Sequence, residues 1–168
     1  MGETLEFSLR VMLIGIGATI VVDIWALLLR QFGIQSLAFA YLGRWIGHFR
    51  HGKFAHESIA KATPVRGELL LGWCAHYAIG TSFAALLLSV CGLSWARSPS
   101  LAPALLLGVM TVVAPLFVLQ PALGAGVASS KTAAPVISSL KSLVTHTVFG
   151  FGLYLAALAT ASCLAPSM

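Results

Sequence analysis

Four apolar runs, each long enough to cross a lipid bilayer as a helix, divide this 168-residue chain. A helix of about 20 apolar residues spans a hydrocarbon core of about 30 Å, and in lipid only helices or closed barrels satisfy their own backbone hydrogen bonds. Only 9% of the residues are charged, whereas a soluble domain carries about 25%. The sequence therefore predicts an all-α polytopic membrane protein, a single integral membrane domain over 1–168, with spans at about 7–29, 68–90, 101–119 and 136–161.

The distribution of basic residues predicts the orientation of these spans. Most Lys and Arg residues lie in the connection between spans one and two, and Lys131 and Lys141 lie between spans three and four. The opposite side carries only Arg10 and Arg97. Because basic connections remain in the cytoplasm, both termini are predicted outside. The net charge of +5 is thus a topology signal, and the expected partner is the lipid bilayer and not a nucleic acid.

The connection between spans one and two is predicted to contain an amphipathic helix over about 34–50. Apolar side chains recur there at steps of three and four, while Arg44 and His48 lie off the apolar face. Such a helix is typical of the membrane interface, and its expected role is anchoring, with a lid over a cytoplasmic opening as the alternative. The histidine-rich stretch 47–58 matches no standard metal spacing, and we interpret it as a basic segment facing solvent or lipid headgroups.

Polar residues inside the spans form the candidate site. Asp23 lies in span one, His76 in span two and His146 in span four, and Gln120 follows span three. At 1.5 Å per residue, the first three lie about 10, 12 and 8 Å inside the cytoplasmic boundary. A charged side chain in a membrane helix costs about 2.5–3.5 kcal/mol and usually faces the interior. The sequence therefore predicts a polar layer in the cytoplasmic half of the bundle, with the two histidines as partners of Asp23.

Small residues follow the same helix faces. Four-residue steps place His76 between two glycines, and place another glycine one turn after His146. Stripes of small residues allow membrane helices to approach closely. The predicted helix-packing positions are Gly15, Gly72, Gly80 and Gly150.

An internal sequence similarity suggests that the four spans form two hairpins. "HYAIGTSFAALLL" in span two aligns with "HTVFGFGLYLAAL" in span four, and "TIVVDIW" in span one aligns loosely with "MTVVAPLF" in span three. The second alignment puts Pro115 near the place of Asp23. Two parallel hairpins related by an axis along the membrane normal would produce this pattern.

Three functions fit these residues. The leading one is a small transporter or proton-linked permease-like protein, with a site between Asp23, His76 and His146 that opens to the cytoplasm. The second is a haem- or metal-binding membrane subunit, in which the two histidines flank a porphyrin or hold a metal ion together with Asp23. The third is a structural or assembly scaffold. No catalytic motif is present, which disfavours an enzyme, and a homodimer is plausible because four helices are few for a transporter.

Five stretches resemble a family of small bacterial inner-membrane proteins catalogued only as a domain of unknown function, number twenty-nine thirty-eight. They are "GIGATIVVDIWALL", "GRWIGHF", "PVRGELLLGWCAHYAIG", "QPALGAGVASSK" and "SLVTHTVFGFGLYLAAL", which together extend over nearly the whole chain. The resemblance implies a bacterial four-helix inner-membrane protein, whose termini would then be periplasmic. It implies no activity.

Overall fold

The computed structural model describes residues 2–34 and 38–164, and within these ranges all regular structure is helical. Four helical segments are long and apolar enough to cross a membrane, which confirms the predicted all-α class and its four spans. In chain order the α-helices are α1 (Glu3–Gln31), α2 (Phe39–Gly47), α3 (Glu68–Arg97), α4 (Leu101–Met110), α5 (Gln120–Leu123) and α6 (Pro135–Cys163).

The third span, Leu101–Leu123, is interrupted by a π-helical turn over Pro115–Leu119 that joins α4 to α5. Proline has no backbone N–H and cannot bond the carbonyl one turn before it. The Thr111 carbonyl accepts instead from the Ala114 N–H at 3.0 Å. The wide turn is therefore a local consequence of Pro115.

The long helices follow the spatial order α3, α1, α6, α4. The first helix packs along both α3 and α6, and α4 packs along the other side of α6. In contrast, α3 and α4 contact each other only slightly. Within each predicted hairpin the two helices are neighbours, but the extensive α1–α6 contact has no equivalent between α3 and α4.

The buried core lies toward one end of the bundle, which we call the Glu6 end. Buried positions in α1 occur between Glu6 and Thr19, and those in α6 between Phe149 and Thr160. At the opposite end, which we call the Asp23 end, the described parts of α1 and α6 contribute no buried residue. Along α1 and α6 the buried positions are thus confined to the Glu6 end. The largest fully buried apolar side chains of the core are Ile14, Leu87, Leu88 and Leu153, and Trp95 and Phe149 are buried beside them.

An ionic cluster ties α1 to α3 at the Glu6 end. The Glu6 carboxylate accepts from Arg10 Nε at 2.9 Å and from Arg97 Nε and Nη2 at 2.9 and 2.6 Å. Arg10 also donates to the Ala96 carbonyl at 2.8 Å and is only 3% exposed. The two arginines of the predicted outer side therefore neutralise a carboxylate and hold two helix ends together.

Backbone contact docks α2 directly on the beginning of α3. A Cβ atom at Gly43 would overlap the Glu68 carbonyl oxygen, and one at Gly72 would overlap the Phe39 carbonyl oxygen. The helix is shorter than the predicted segment, and residues 35–37 of that segment lie outside the described residues. Docking on α3 therefore adds a protein contact to the interfacial position expected from the sequence.

Two polar residues of this segment are buried, although both lie off its apolar face. Arg44 and His48 are 8% and 9% exposed. Arg44 forms a two-pronged ion pair with Glu68, with Nε–Oε2 and Nη2–Oε1 distances of 2.9 and 2.7 Å. His48 binds a second histidine, His56, which is 7% exposed. The interpretation of stretch 47–58 as facing solvent is therefore wrong for these two histidines, because they pair with each other.

Candidate functional site

His76 of α3 lies against Asp23 of α1 at the Asp23 end. His76 Nε2 is 2.9 Å from Asp23 Oδ1, and the Tyr77 hydroxyl donates to Asp23 Oδ2 at 2.8 Å. An ionised Asp23 can only accept, so the His76 proton resides on Nε2. His76 Nδ1 then has no hydrogen-bond partner among the residues that the structure describes. The His76 and Asp23 side chains are 20% and 18% exposed, so the pair is largely covered but not sealed inside the protein.

Close helix packing one turn away brings this pair together. A Cβ atom at Gly80 would overlap the Thr19 hydroxyl, and one at Gly15 would press on the Thr81 backbone. Thr19 directs its own hydroxyl back to the Gly15 carbonyl at 2.8 Å. These small residues let α1 and α3 touch, so the side chains one turn further on meet at hydrogen-bond distance.

Aromatic rings surround His76, and we call Phe39, Trp73, His76 and Tyr77 the aromatic cluster. The Phe39 ring, carried by α2, lies 4.5 Å from the His76 ring and 4.2 Å from the Trp73 ring. The Tyr77 ring lies 5.6 Å from His76. Sequence periodicity does not single out Phe39, Trp73 or Tyr77 as site residues, although Phe39 is an apolar residue that breaks the three- and four-residue steps of the amphipathic segment. Such a break can indicate a side chain with another partner.

His146 lies in a separate contact, between α6 and α4. Its Nδ1 is 2.8 Å from the Thr111 hydroxyl, which donates to the Gly108 carbonyl at 2.6 Å. Because that hydroxyl proton goes to Gly108, His146 Nδ1–H is the donor to Thr111. Close approach of Gly108 and Gly150 supports this contact. His146 of α6 therefore contacts Thr111, just as His76 of α3 contacts Asp23. In the structure the counterpart of Asp23 in the third span is thus Thr111 and not Pro115, which the sequence alignment placed there.

Gln120 belongs to a third cluster, near the beginning of α6. Its Nε2 donates to Ser142 Oγ at 3.1 Å, and its Oε1 accepts from Ser129 Oγ at 2.9 Å. Ser129 is 2% exposed and has a φ of +61°. The polar residues predicted to share one layer thus lie at three different contacts, and only Asp23 and His76 bind each other.

These clusters do not provide a complete set of side-chain ligands for a metal ion. Within residues 2–34 and 38–164, no group of three or more His, Cys, Asp or Glu side chains is placed to hold a metal ion. Of the three predicted candidates, Asp23 and His76 are adjacent, while His146 is bound to Thr111. His76 contacts α1 and His146 contacts the end of α4, so the two imidazoles lie at separate helix contacts. This arrangement does not favour their serving as the two axial ligands of one haem.

A pair of buried histidines joins the connection after α2 to the end of the third span. His48 Nε2–H donates to the Thr63 carbonyl at 3.0 Å, so His48 Nδ1 accepts from His56 Nε2–H at 2.7 Å. The His56 backbone N–H donates to the Ala122 carbonyl at 2.9 Å. His56 Nδ1 is buried and has no partner among the described residues. Burial, together with nearby Lys53 and His48, holds the pKa of His56 below its ordinary value.

From the buried histidine pair we predict that the connection between α2 and α3 becomes less stable at acidic pH. Above pH about 6.5 the imidazole of His56 is neutral in both folded and unfolded chains, and its full contribution is present. As the pH falls below that value, the unfolded chain takes up a proton that the folded chain resists, which lowers stability by at most about 1.4 kcal/mol per pH unit. Hydrogen exchange over residues 52–66, corrected for its intrinsic pH dependence, should therefore accelerate between pH 7.5 and 5. His56→Gln should flatten this response and the exposed control His51→Gln should not; equal responses would contradict the assignment.

Four helices of membrane-spanning length and apolar composition indicate a multi-pass membrane protein. Residues 12–160 match a family described as "Protein of unknown function (DUF2938)". The chain belongs to this family, as the resemblance of its sequence stretches implied. No curated protein and no solved structure matches the chain.

Proposed function

We propose that this protein is a small proton-linked carrier of the bacterial inner membrane, with Asp23 and His76 as its proton-binding site. Its termini would be periplasmic, and the Asp23 end would face the cytoplasm. A homodimer would supply the further helices that a transport path needs. The observation that carries the proposal is an acid–histidine pair inside two membrane-length helices.

The partners of the acidic residues distinguish this pair from structural ion pairs. Glu6 is bound by two arginines and Glu68 is bound by Arg44. Asp23 instead has a histidine and a tyrosine as partners. An arginine remains charged at all physiological pH values, whereas a histidine gains and loses a proton within that range. The Asp23 pair is therefore the ionic cluster suited to exchanging protons.

Proton exchange changes the net charge of this site. With neutral His76 the pair carries one negative charge, and a proton on His76 Nδ1 brings the net charge to zero. In a medium of low dielectric constant, such a change strongly alters the relative energies of two conformations. Both side chains are partly exposed, so the site is not sealed inside the protein. These properties are what a proton-linked carrier requires.

Asp23→Asn and His76→Gln are expected to abolish the proton-binding current of this site. The experiment adsorbs proteoliposomes on a solid-supported membrane and records the transient current after a pH jump, which needs no knowledge of the substrate. Wild-type protein should give a current, and both variants should fall to the level of empty liposomes. His146→Gln and the exposed charge control Glu57→Gln should retain it. An undiminished current in Asp23→Asn would refute the proposal.

A further inference from the structure

Asp23 is a membrane-embedded carboxylate that no permanent positive charge neutralises. Neither Lys nor Arg contacts it among the described residues. The arginine of the docked helix α2, Arg44, already binds Glu68 with two nitrogen atoms. When His76 is neutral, the site therefore holds one uncompensated negative charge, and its electrostatic complement is a cation.

The surroundings of this carboxylate select the kind of cation. Apart from Tyr77, which offers a hydroxyl, the cluster supplies ring faces and no further oxygen ligands of the sort that inorganic cations need. Aromatic faces attract organic ammonium and similar cations, and Trp is the strongest of them. Trp73 is 38% exposed, so part of its indole ring is free for contact.

We infer that the Asp23 site and the aromatic cluster bind an organic monovalent cation with apolar substituents, and that the protein exchanges this cation for a proton. The inference rests on the proposed function. It names the substrate class and the direction of coupling.

The exchange of an organic cation for a proton follows from the single negative charge of the Asp23 site. The titratable or charged groups at the pair are Asp23 of α1 with His76 and Tyr77 of α3. From α2 the Phe39 ring lies 4.5 Å from the His76 ring, and no charged side chain among the described residues of α2 forms a hydrogen bond or ion pair with Asp23 or His76. The histidine of α6 is bound to Thr111. A second positive charge would find no counter-ion in this low-dielectric setting. A bound cation and a protonated His76 therefore exclude each other, and each displaces the other.

The test measures tetraphenylphosphonium binding to the full-length protein in mild detergent by isothermal titration calorimetry. Repeating the titration in buffers of different ionisation enthalpy counts the protons released. We expect binding that releases up to one proton and weakens by up to about tenfold per pH unit as the pH falls. Asp23→Asn should weaken binding by about tenfold or more. Trp73→Ala should weaken it by about two- to fivefold, the scale of a partly exposed cation–π contact.

Two controls separate this site from nonspecific uptake by detergent. Tetraphenylborate has the same shape and the opposite charge, and Asp23→Asn should not weaken its binding. Glu57→Gln removes an exposed carboxylate at the same end and should leave tetraphenylphosphonium binding unchanged. Equal cation affinity in wild type and Asp23→Asn, or an affinity independent of pH, would overturn the inference.

The two proposals fail in different ways. A wild-type protein that gives the pH-jump current but does not bind tetraphenylphosphonium would overturn the substrate class and leave the proton site intact. A protein that gives neither signal would overturn both. A correctly assembled Asp23→Asn variant, verified by its elution as a single species and its thermal unfolding, keeps loss of binding distinct from misfolding.

Discussion

Replacing Arg44 with alanine is expected to lower the free energy of unfolding by about 3–5 kcal/mol, the usual cost of removing one partner of a buried ion pair. The Arg44 and Glu68 side chains are 10% and 16% exposed. Arg44 Nη1 also donates to the carbonyls of Ile59 and Ala62, each at 3.1 Å. The variant would remove the arginine from the Glu68 carboxylate, which would keep, among the described residues, only the Val65 N–H as a donor, and from two carbonyl oxygens in the connection before α3.

The measurement is thermal or denaturant unfolding in detergent, followed by tryptophan fluorescence. Arg50→Ala is the matched control, because Arg50 is exposed and, among the described residues, its side chain hydrogen-bonds to the neighbouring His51 and takes part in no ion pair. Adding Glu68→Gln to Arg44→Ala should recover part of the loss, since it removes the buried charge while an amide oxygen can still accept from the Val65 N–H. The hydrogen bonds to Glu68 raise the pKa of Arg44, so the pair should persist at alkaline pH. A loss no larger than that of Arg50→Ala would show that the ion pair contributes little.

Hydrophobicity and helix geometry allow the four membrane spans to be predicted from the sequence. Runs of apolar residues define helices of membrane length, and the observed bounds extend the predicted ones by a few residues at most ends. Four-residue steps also put His76 and Gly80 on one face of α3. Because Asp23 and His76 lie at similar depths on helices that prove to be adjacent, this pair could be anticipated.

Depth along a helix does not specify which helix lies beside it. His146 lies at a depth similar to that of His76, yet the order α3, α1, α6, α4 puts it against Thr111. That order depends on the complementarity of whole helix surfaces, which one sequence does not reveal. The sequence therefore predicts which residues could form a polar layer, but the packing of the helices decides which of them contact each other.

A pair of glycines in the sequence indicates that α2 docks closely on another part of the chain, but the amphipathic pattern of the segment does not reveal this. Gly43 and Gly47 are four residues apart, the spacing typical of close helix contacts, and Gly47 packs against the Val65 side chain. Arg44, which lies between them, finds its partner 24 residues later in the chain. Periodicity assigns such an arginine to the polar face, and only tertiary contact identifies its counter-ion.

Replacing Gly72 with leucine is expected to detach α2 from α3 and to destabilise the protein by about 3 kcal/mol, at the upper end for overpacked sites. Even a single Cβ atom at this position would overlap the Phe39 carbonyl oxygen, so the two backbones must separate. Their separation would also move the Phe39 ring away from His76, which it now approaches to 4.5 Å. Gly72→Ala should give the same effects in weaker form.

Thermal unfolding in detergent measures the stability change, and limited proteolysis between α2 and α3 measures the detachment. Ala78→Leu is the matched control, because it adds the same side chain to an exposed position of the same helix. Since Phe39 belongs to the aromatic cluster, Gly72→Leu should also weaken tetraphenylphosphonium binding, whereas Ala78→Leu should not. If both variants were equally stable and equally resistant to protease, α2 would not be docked through Gly72. It would then be the freely lying interfacial helix that its apolar periodicity alone predicts, and Phe39 would have no part in covering His76.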